Sequence, residues 1–417
     1  MVDFRTKDPF YDLIPKEGWL SKYMLYASGG EIPPRFNFFA GLFVLSSAIR
    51  RSVYFEKDQK LFPNFYIILI SPPAIGKKSS AIALADRIIQ GMKKNKPRCL
   101  SSKITGEGLL QNLDTGQDIV VGDKVTITST GILMCSELIN LLGKQQYLTG
   151  LIGYLTELYD CPEFKSIGSV KHGEWKLRNV FLNLFGGITP KGLQNDVPSE
   201  TLDTGFLSRV LLIPLPENWD IRVPRPLRRD PILQEILTKG LETYATLGGE
   251  MSFSVEAEKA YDNWYLTRPS KIDQGYAERE PDHILKMCML WELSKTKTLI
   301  ISMETLDEVF TISNWLRATT RTLLPQLRAE QSSVRANRVY EKLLVLVKEL
   351  KTKRVPHSKL LMRCWYFLPG RGGEFGEIMQ LLKELRRVEE YRDPESPSAA
   401  FYTPLETSLW ESEGGEE

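Results

Sequence analysis

The chain has 417 residues, 42% of them hydrophobic and 25% charged, with a net charge of +2. That length exceeds one small core and fits roughly two to four units of ordinary globular composition. Near-neutrality excludes a global polycationic pull toward nucleic acid, so any such binding must come from local patches or a lined channel.

Five scattered cysteines with no C-x-x-C pair speak for reduced thiols and against a disulfide framework. His172, His283 and His357 lie far apart, which argues against a zinc-type site. The first residues are charged and polar, unlike a secretory leader. The longest apolar stretch, Phe36–Ile49, is too short to span a bilayer and holds Asn37 and two serines. No membrane role and a cytoplasmic location are the expectations.

In chain order, residues 1–60 read as mostly helical, with helices in GWLSKYMLYASGG and around Phe38–Arg51. Over 61–217, short apolar strands alternate with helices: Phe65–Ser71, a weaker Arg98–Ser102, Gly131–Ser136, Val180–Gly186 and Val210–Leu215. Five strands with helical crossovers predict an α/β core on a mainly parallel sheet covered on both faces. A proline- and arginine-rich linker, Arg222–Asp230, falls in a region, 218–328, that is otherwise helical by periodicity. The polar stretch Arg328–Asn337 then leads into a compact unit ending at 406. Its expected elements are helices at Val339–Leu350, Ser358–Trp365 and Gly373–Val388 and an extended piece at Phe401–Pro404. Three helices and a β wing make the winged-helix plan. Residues 407–417 form an acidic, Gly-containing tail with the composition of disorder.

Tyr66–Ala81, YIILISPPAIGKKSSA, carries the most chemistry. A β-branched run meets a Pro- and Gly-containing loop with lysines and hydroxyls, which opens an alanine-rich helix. That is the layout of a nucleotide phosphate-binding loop, G-x-x-x-x-G-K-[ST], here with Ser71 in place of the first glycine. Lys77 follows Gly76 and is assigned as the phosphate lysine. Lys78 then falls on the hydroxyl position, and Ser79 supplies the Mg²⁺ hydroxyl one residue late; Pro72 and Ser80 complete the loop.

Gly131–Leu138 is an apolar strand ending in Ser136 and Glu137. In ring-forming P-loop ATPases the equivalent strand lies beside the phosphate loop's strand and ends in two acids. Ser136 stands where the first would order the metal, and Glu137 is the candidate base that orients water, or else a helix cap. Val180–Pro190 ends in two glycines and Thr189, which can offer a hydrogen bond to a γ-phosphate or serve a plain tight turn. Gly205–Leu212 sets Arg209 directly before the last strand. There an arginine reaches into a neighbouring subunit's nucleotide as an arginine finger, or simply caps the sheet.

Phosphate loop, acid-tipped strand, polar-tipped strand and arginine follow the order of the AAA+ ATPase core. Around this core the chain resembles a family of helicase-like phage and prophage P-loop ATPases of unknown function. The likeness rests on Gly18, Trp19, Leu20, Tyr23, Glu31 and Pro33 and on LFPNFYIILISPP, SELINLLG, YLTELYDCPEF, GGITPKGL and GFLSRV. It also resembles, more distantly, minichromosome-maintenance-type and viral replicative helicases. That resemblance implies an AAA+-type core with an N-terminal helical region, a helical lid and a C-terminal winged helix. It further implies ATP and Mg²⁺ as cofactors, a homo-hexameric ring on DNA in the cytoplasm of a bacterial host, and Arg279 as a lid arginine on the γ-phosphate.

Lys165–Lys176 reads as a β-hairpin. The replicative helicases carry a lysine-tipped hairpin at this place, so Lys171 and His172 at the tip, with Lys176, are expected to line a pore holding single-stranded DNA. In the C-terminal unit, Arg354, His357, Lys359 and Arg363 lie near the second helix. Arg371, Lys383, Arg386 and Arg387 lie on or near the third, with Arg386 and Arg387 the candidate contacts to duplex phosphates. Trp365 and Tyr366 are assigned to the core. The expected function is an ATP-driven DNA translocase or helicase of a phage or prophage replication system, with other replication proteins as further partners. The alternatives are a helicase loader that uses ATP as a switch and a DNA-binding regulator on a degenerate scaffold.

Overall fold

The computed structural model describes residues 8–121, 124–142, 150–169, 173–195, 205–225, 227–268, 274–368, 371–394 and 396–405. The chain divides into two compact units, Met1–Leu323 and Leu324–Glu417.

The first unit is built on a sheet of five strands: β1 (Tyr66–Ile70), β2 (Cys99–Leu100), β3 (Thr130–Cys135), β4 (Phe181–Ile188) and β5 (Val210–Pro214). Their order is β5-β1-β4-β3-β2, and every pairing is parallel. β1 and β4 are buried along their whole length, as expected of strands covered on both faces. All five expected strands form. Their order corrects one expectation: the acid-tipped strand β3 is not the neighbour of β1, because β4 lies between them.

The helix Pro34–Ile49 is buried on all sides, the behaviour of an apolar helix with no polar face. Its serines are satisfied locally. Asn183 on β4 donates to Ser46 Oγ (2.7 Å) and Ser47 Oγ (3.0 Å) and accepts from the backbone of Phe65. Arg35 at the start of this helix donates to Asp8 (2.7 Å) and to Pro214 O at the end of β5, which ties the N-terminal helices to one edge of the sheet.

The same apolar core runs on into the helices Pro231–Tyr244 and Gln274–Lys295. It joins Phe10, Phe43, Leu69, Leu241, Trp291 and Leu316, so the three segments expected within the first 328 residues share one interior. Two hairpins project from the core. One, Phe164–Ser169 with Gly173–Arg178, was expected. The other, Gln117–Val121 with Lys124–Thr128, was not, although its alternating β-branched residues around Gly122–Asp123 are a legible hairpin signal.

The second unit contains the end of the helix Met303–Leu350, then Val355–Pro356, the helices His357–Cys364 and Arg371–Glu384, and the strands Val388–Asp393 and Ser396–Pro404. The three strands form an antiparallel sheet with Ser396–Pro404 central. A core of Val339, Tyr340, Leu343, Leu360, Phe375 and Leu382 holds it together. The polar stretch Arg328–Asn337 is helical: it contains no glycine or proline, and alanine, glutamate, glutamine and arginine there favour a helix. The third helix ends at Glu384 rather than Val388, and the strand Val388–Asp393 takes the residues beyond it.

Candidate functional site

Parallel strands put all their C-terminal ends on one edge, where open α/β sheets receive ligands. At the end of β1 the loop from Ser71 turns into the helix Lys78–Gly91. Two non-glycine residues of the loop, Ala74 (φ 63°) and Lys77 (φ 51°), are left-handed, a conformation that costs an L-residue about 1–2 kcal/mol and gathers at functional sites. Gly76 is required by close approach, since a Cβ there would lie 2.5 Å from Ser71 Oγ. Lys77 occupies the N-cap without offering a side-chain acceptor. The first helical bond runs from Ala81 N to Lys77 O, so the N–H groups of Lys78, Ser79 and Ser80 fall in the turn that has no intrahelical partners. Ser79 and Ser80 are exposed beside them.

The left-handed turn at Lys77 sends the two lysine side chains in different directions. Lys77 Nζ points away and pairs with Glu31 Oε2 at 2.9 Å. Lys78 folds back over the loop and donates to Ser71 O (2.6 Å), Ser71 Oγ (2.8 Å) and Pro72 O (3.3 Å). Partial burial lowers the Lys78 pKa from the usual lysine value. An ammonium held on uncharged oxygens at the mouth of a helix N-terminus is placed to exchange them for an anion. Counting Lys78 as the loop lysine also puts Ser79 directly after it, so the hydroxyl is no longer late.

Two further strand tips meet this loop. A Cβ on Gly187 of β4 would lie 3.0 Å from Ser136 O and 3.1 Å from Lys78 Cβ, so β3, β4 and the lysine stem touch at one point. Leu138 N donates to Gly187 O (2.9 Å) and fixes the turn that carries Ser136 and Glu137, both exposed. Glu137 accepts from Asn140 Nδ2 at 3.4 Å. Thr189 Oγ1 accepts from Gly192 N at 3.0 Å and so caps the helix Pro190–Asn195; a hydroxyl that accepts still has a hydrogen to donate.

Glu31 was not among the expected site residues. Besides Lys77 it accepts from Val223 N (3.0 Å), and its carbonyl accepts from Trp219 Nε1 (3.0 Å). The Val223 N–H first, and then the Lys77 side chain, hold its carboxyl below the usual carboxylate range.

Arg209 and Arg279 are at the other edge. Arg209 precedes Val210, which pairs with Tyr66 at the start of β1. Five residues of strand, roughly 16 Å, separate that edge from the loop. Arg209 Nη2 donates to Asp160 Oδ2 (2.8 Å) and Nη1 to Gly205 O (2.8 Å), and its side chain is only 11% exposed. Arg279 Nη1 donates to Asp160 Oδ1 at 3.0 Å. One carboxylate of the same chain thus holds both arginines, neither of which reaches the loop that follows β1.

Asp160 is anchored through its neighbour Tyr159. The Tyr159 carbonyl accepts from Asn64 Nδ2 (2.7 Å), and its ring lies 3.8 Å from Lys286 Nζ, which donates to Asn64 Oδ1 (2.7 Å). Burial brings Lys286 down to about 8 and, with the Lys286 charge, His283 down to about 3.

Of the expected nucleic-acid contacts, Lys171 and His172 lie outside the described residues. Lys176 pairs with Glu174 at 3.4 Å. Arg386 and Arg387 lie not on the third helix but in the turn after it. Arg387 stacks on Tyr340 (4.0 Å) and donates to Asn337 Oδ1 (2.5 Å), so its charge is used inside the unit. Trp365 and Tyr366 are not core residues: both are exposed.

Among the described residues there is no group of three or more His, Cys, Asp and Glu arranged to hold a metal, and no helix long and apolar enough to cross a membrane. Comparison with known protein families and with curated proteins finds no match for the chain.

Proposed function

We propose that this chain is an ATPase of the P-loop class, AAA+-like in plan, that acts on DNA as a multi-copy assembly in phage or prophage replication. The observation that carries the reading is the fold-back of Lys78 onto Ser71 at the tip of a central parallel strand, with both arginines on the opposite edge.

On this reading the loop N–H groups and Lys78 hold the triphosphate. Exposed Glu137 orients the attacking water, and Thr189 donates to a terminal phosphate oxygen. What fits a phosphate is the uncapped helix start, where the N–H groups of Lys78, Ser79 and Ser80 precede the first helical bond. The fit to Mg²⁺ is sparer: Ser79 would hold it alongside phosphate oxygens and water, Ser136 offering only a hydroxyl. Bound there, the ion supplies neutralisation of developing phosphate charge.

Arg209 and Arg279 sit about a strand's length from their own loop, so a nucleotide they meet belongs to another copy. Shared sites of that kind need an oligomer; a hexamer remains the proposal drawn from the family likeness. The second unit, with helices leading into a three-stranded antiparallel sheet, supports the winged-helix reading.

The test is mass photometry with and without ATP and single-stranded DNA, followed by turnover and strand-displacement assays. The reading expects ATP-dependent assembly, turnover stimulated by single-stranded DNA, and unwinding. An active enzyme indifferent to DNA overturns it. A loader that uses ATP as a switch is the second reading. Ser136 in place of an acid and the pairing of both arginines with Asp160 favour it, since both slow turnover. Stable ATP-dependent assembly without unwinding would select it.

A further inference from the structure

The helix His357–Cys364 of the second unit is short and sharply two-sided. Leu360 and Cys364 point into the core. Lys359, Met362 and Arg363 recur at the three- and four-residue spacing that lines one helical face, and all three are exposed. Trp365 and Tyr366, also exposed, follow in the 3-10 turn Trp365–Phe367. Met362 is 77% exposed, Tyr366 75% and Trp365 46%. Apolar groups of that size at such exposure call for an explanation beyond packing.

The surroundings say what charge they face. The 21 residues from Lys351 to Arg371 hold six lysines and arginines and no carboxylate. Carboxylates reach this surface only from outside the segment, as where Arg363 donates to Glu349 at 2.5 Å. Both partners of that pair are about half exposed, 46% and 49%, so it exchanges readily with other anions.

The third helix is the opposite. Among its residues whose burial is described, the exposed ones are Gly372, Gly373, Gly376, Glu377, Gln380 and Glu384, and Lys383 is spent on Glu390 at 2.6 Å. An acidic, glycine-rich face is a poor match for the phosphates that flank a major groove.

We propose that the outer face of the helix His357–Cys364, with the 3-10 turn that follows it, binds single-stranded nucleic acid, with unpaired bases stacking on Tyr366 and Trp365 and phosphates meeting Lys359 and Arg363. Cationic surface alone would accept a duplex equally well. Exposed aromatic faces add affinity only where bases are unstacked and available. This site lies apart from the strand tips, and it stands or falls without ATP.

The experiment is fluorescence anisotropy on the full chain without nucleotide, using labelled oligo-dT, oligo-U and a duplex of equal length. The expected result is tighter binding of the single strands than of the duplex. Tyr366→Ala and Trp365→Ala each weaken it roughly five-fold or more, and Tyr366→Phe binds like the parent. Lys359→Ala weakens it less and flattens its salt dependence.

The oligo-dT and oligo-U arms tell DNA from RNA. Preference for the duplex overturns the proposal. So does parental affinity in Tyr366→Ala, a change at a mostly exposed side chain, with circular dichroism and melting temperature confirming the fold. Capture of a protein on this face with no affinity for any oligonucleotide overturns it as well. Failure here leaves the ATPase reading intact, because no step of the assay uses ATP.

Discussion

The two edges of the five-stranded sheet are built on opposite electrostatic principles. At the C-terminal edge, Lys78 rests on uncharged oxygens, the hydroxyls of Ser79 and Ser80 are exposed, and the helix start lacks a side-chain cap. At the N-terminal edge, two guanidiniums are already matched to Asp160, and the Tyr159, Lys286 and Asn64 behind it are buried and bonded. One edge holds its cation on neutral oxygens; the other pairs its cations with a carboxylate of the same chain. On the proposed ATPase reading, service of Arg209 to a neighbouring copy exchanges Asp160 for phosphate.

The largest effect is expected of Arg209→Ala. Nucleotide affinity should persist while turnover falls roughly 10³-fold. Mixing this variant with Lys78→Ala copies should restore part of the turnover, because intact half-sites then meet. Normal hydrolysis by Arg209→Ala would end the shared-site idea. Next, Lys78→Ala should lose about 10²-fold in kcat/KM, whereas Lys77→Ala should change by less than about three-fold. Equal losses measured in parallel titrations would return the role to Lys77.

A smaller effect is expected at the carboxylate between the arginines. Asp160→Asn should raise turnover several-fold by releasing both guanidiniums and lower the melting temperature by about 2 °C. A fall in turnover would instead make Asp160 a positioning residue.

The smallest effect concerns Glu31. Hydrogen bonds from Val223 and Lys77 favour its ionised form, so the folded-state pKa is lowered. Its contribution is complete above the ordinary carboxylate range, near pH ~4.3, and fades as pH falls through the lowered value. Glu31→Gln should cost about 1 °C near neutrality and nothing in strong acid. A constant difference across the pH series would refute this.

Four of the strands were legible because each is a short apolar run bounded by turn residues, and burial on both faces demands that pattern; Cys99–Leu100, two residues long with Cys99 exposed, gave the weaker signal. Glu31 was legible only as part of a family resemblance, and the order of strands across the sheet not at all. Trp365 and Tyr366 looked like core because aromatic residues usually are; the helix that buries Leu360 and Cys364 ends before them, and the 3-10 turn Trp365–Phe367 leaves both exposed.

By itself the sequence determined the strand-loop-helix at Tyr66–Gly91, the acid and hydroxyl that tip two later strands, and the arginine ahead of the last one. Local hydrophobic period and turn chemistry suffice for that. Only the tertiary structure decided which lysine faces the loop, since the choice turns on a left-handed residue at Lys77 and a carboxylate brought from Glu31. It alone paired Asp160 with arginines 49 and 119 residues away. Charge pairing acts through space over a few ångströms, and the spacing of residues along a chain does not record which charges folding will bring that close.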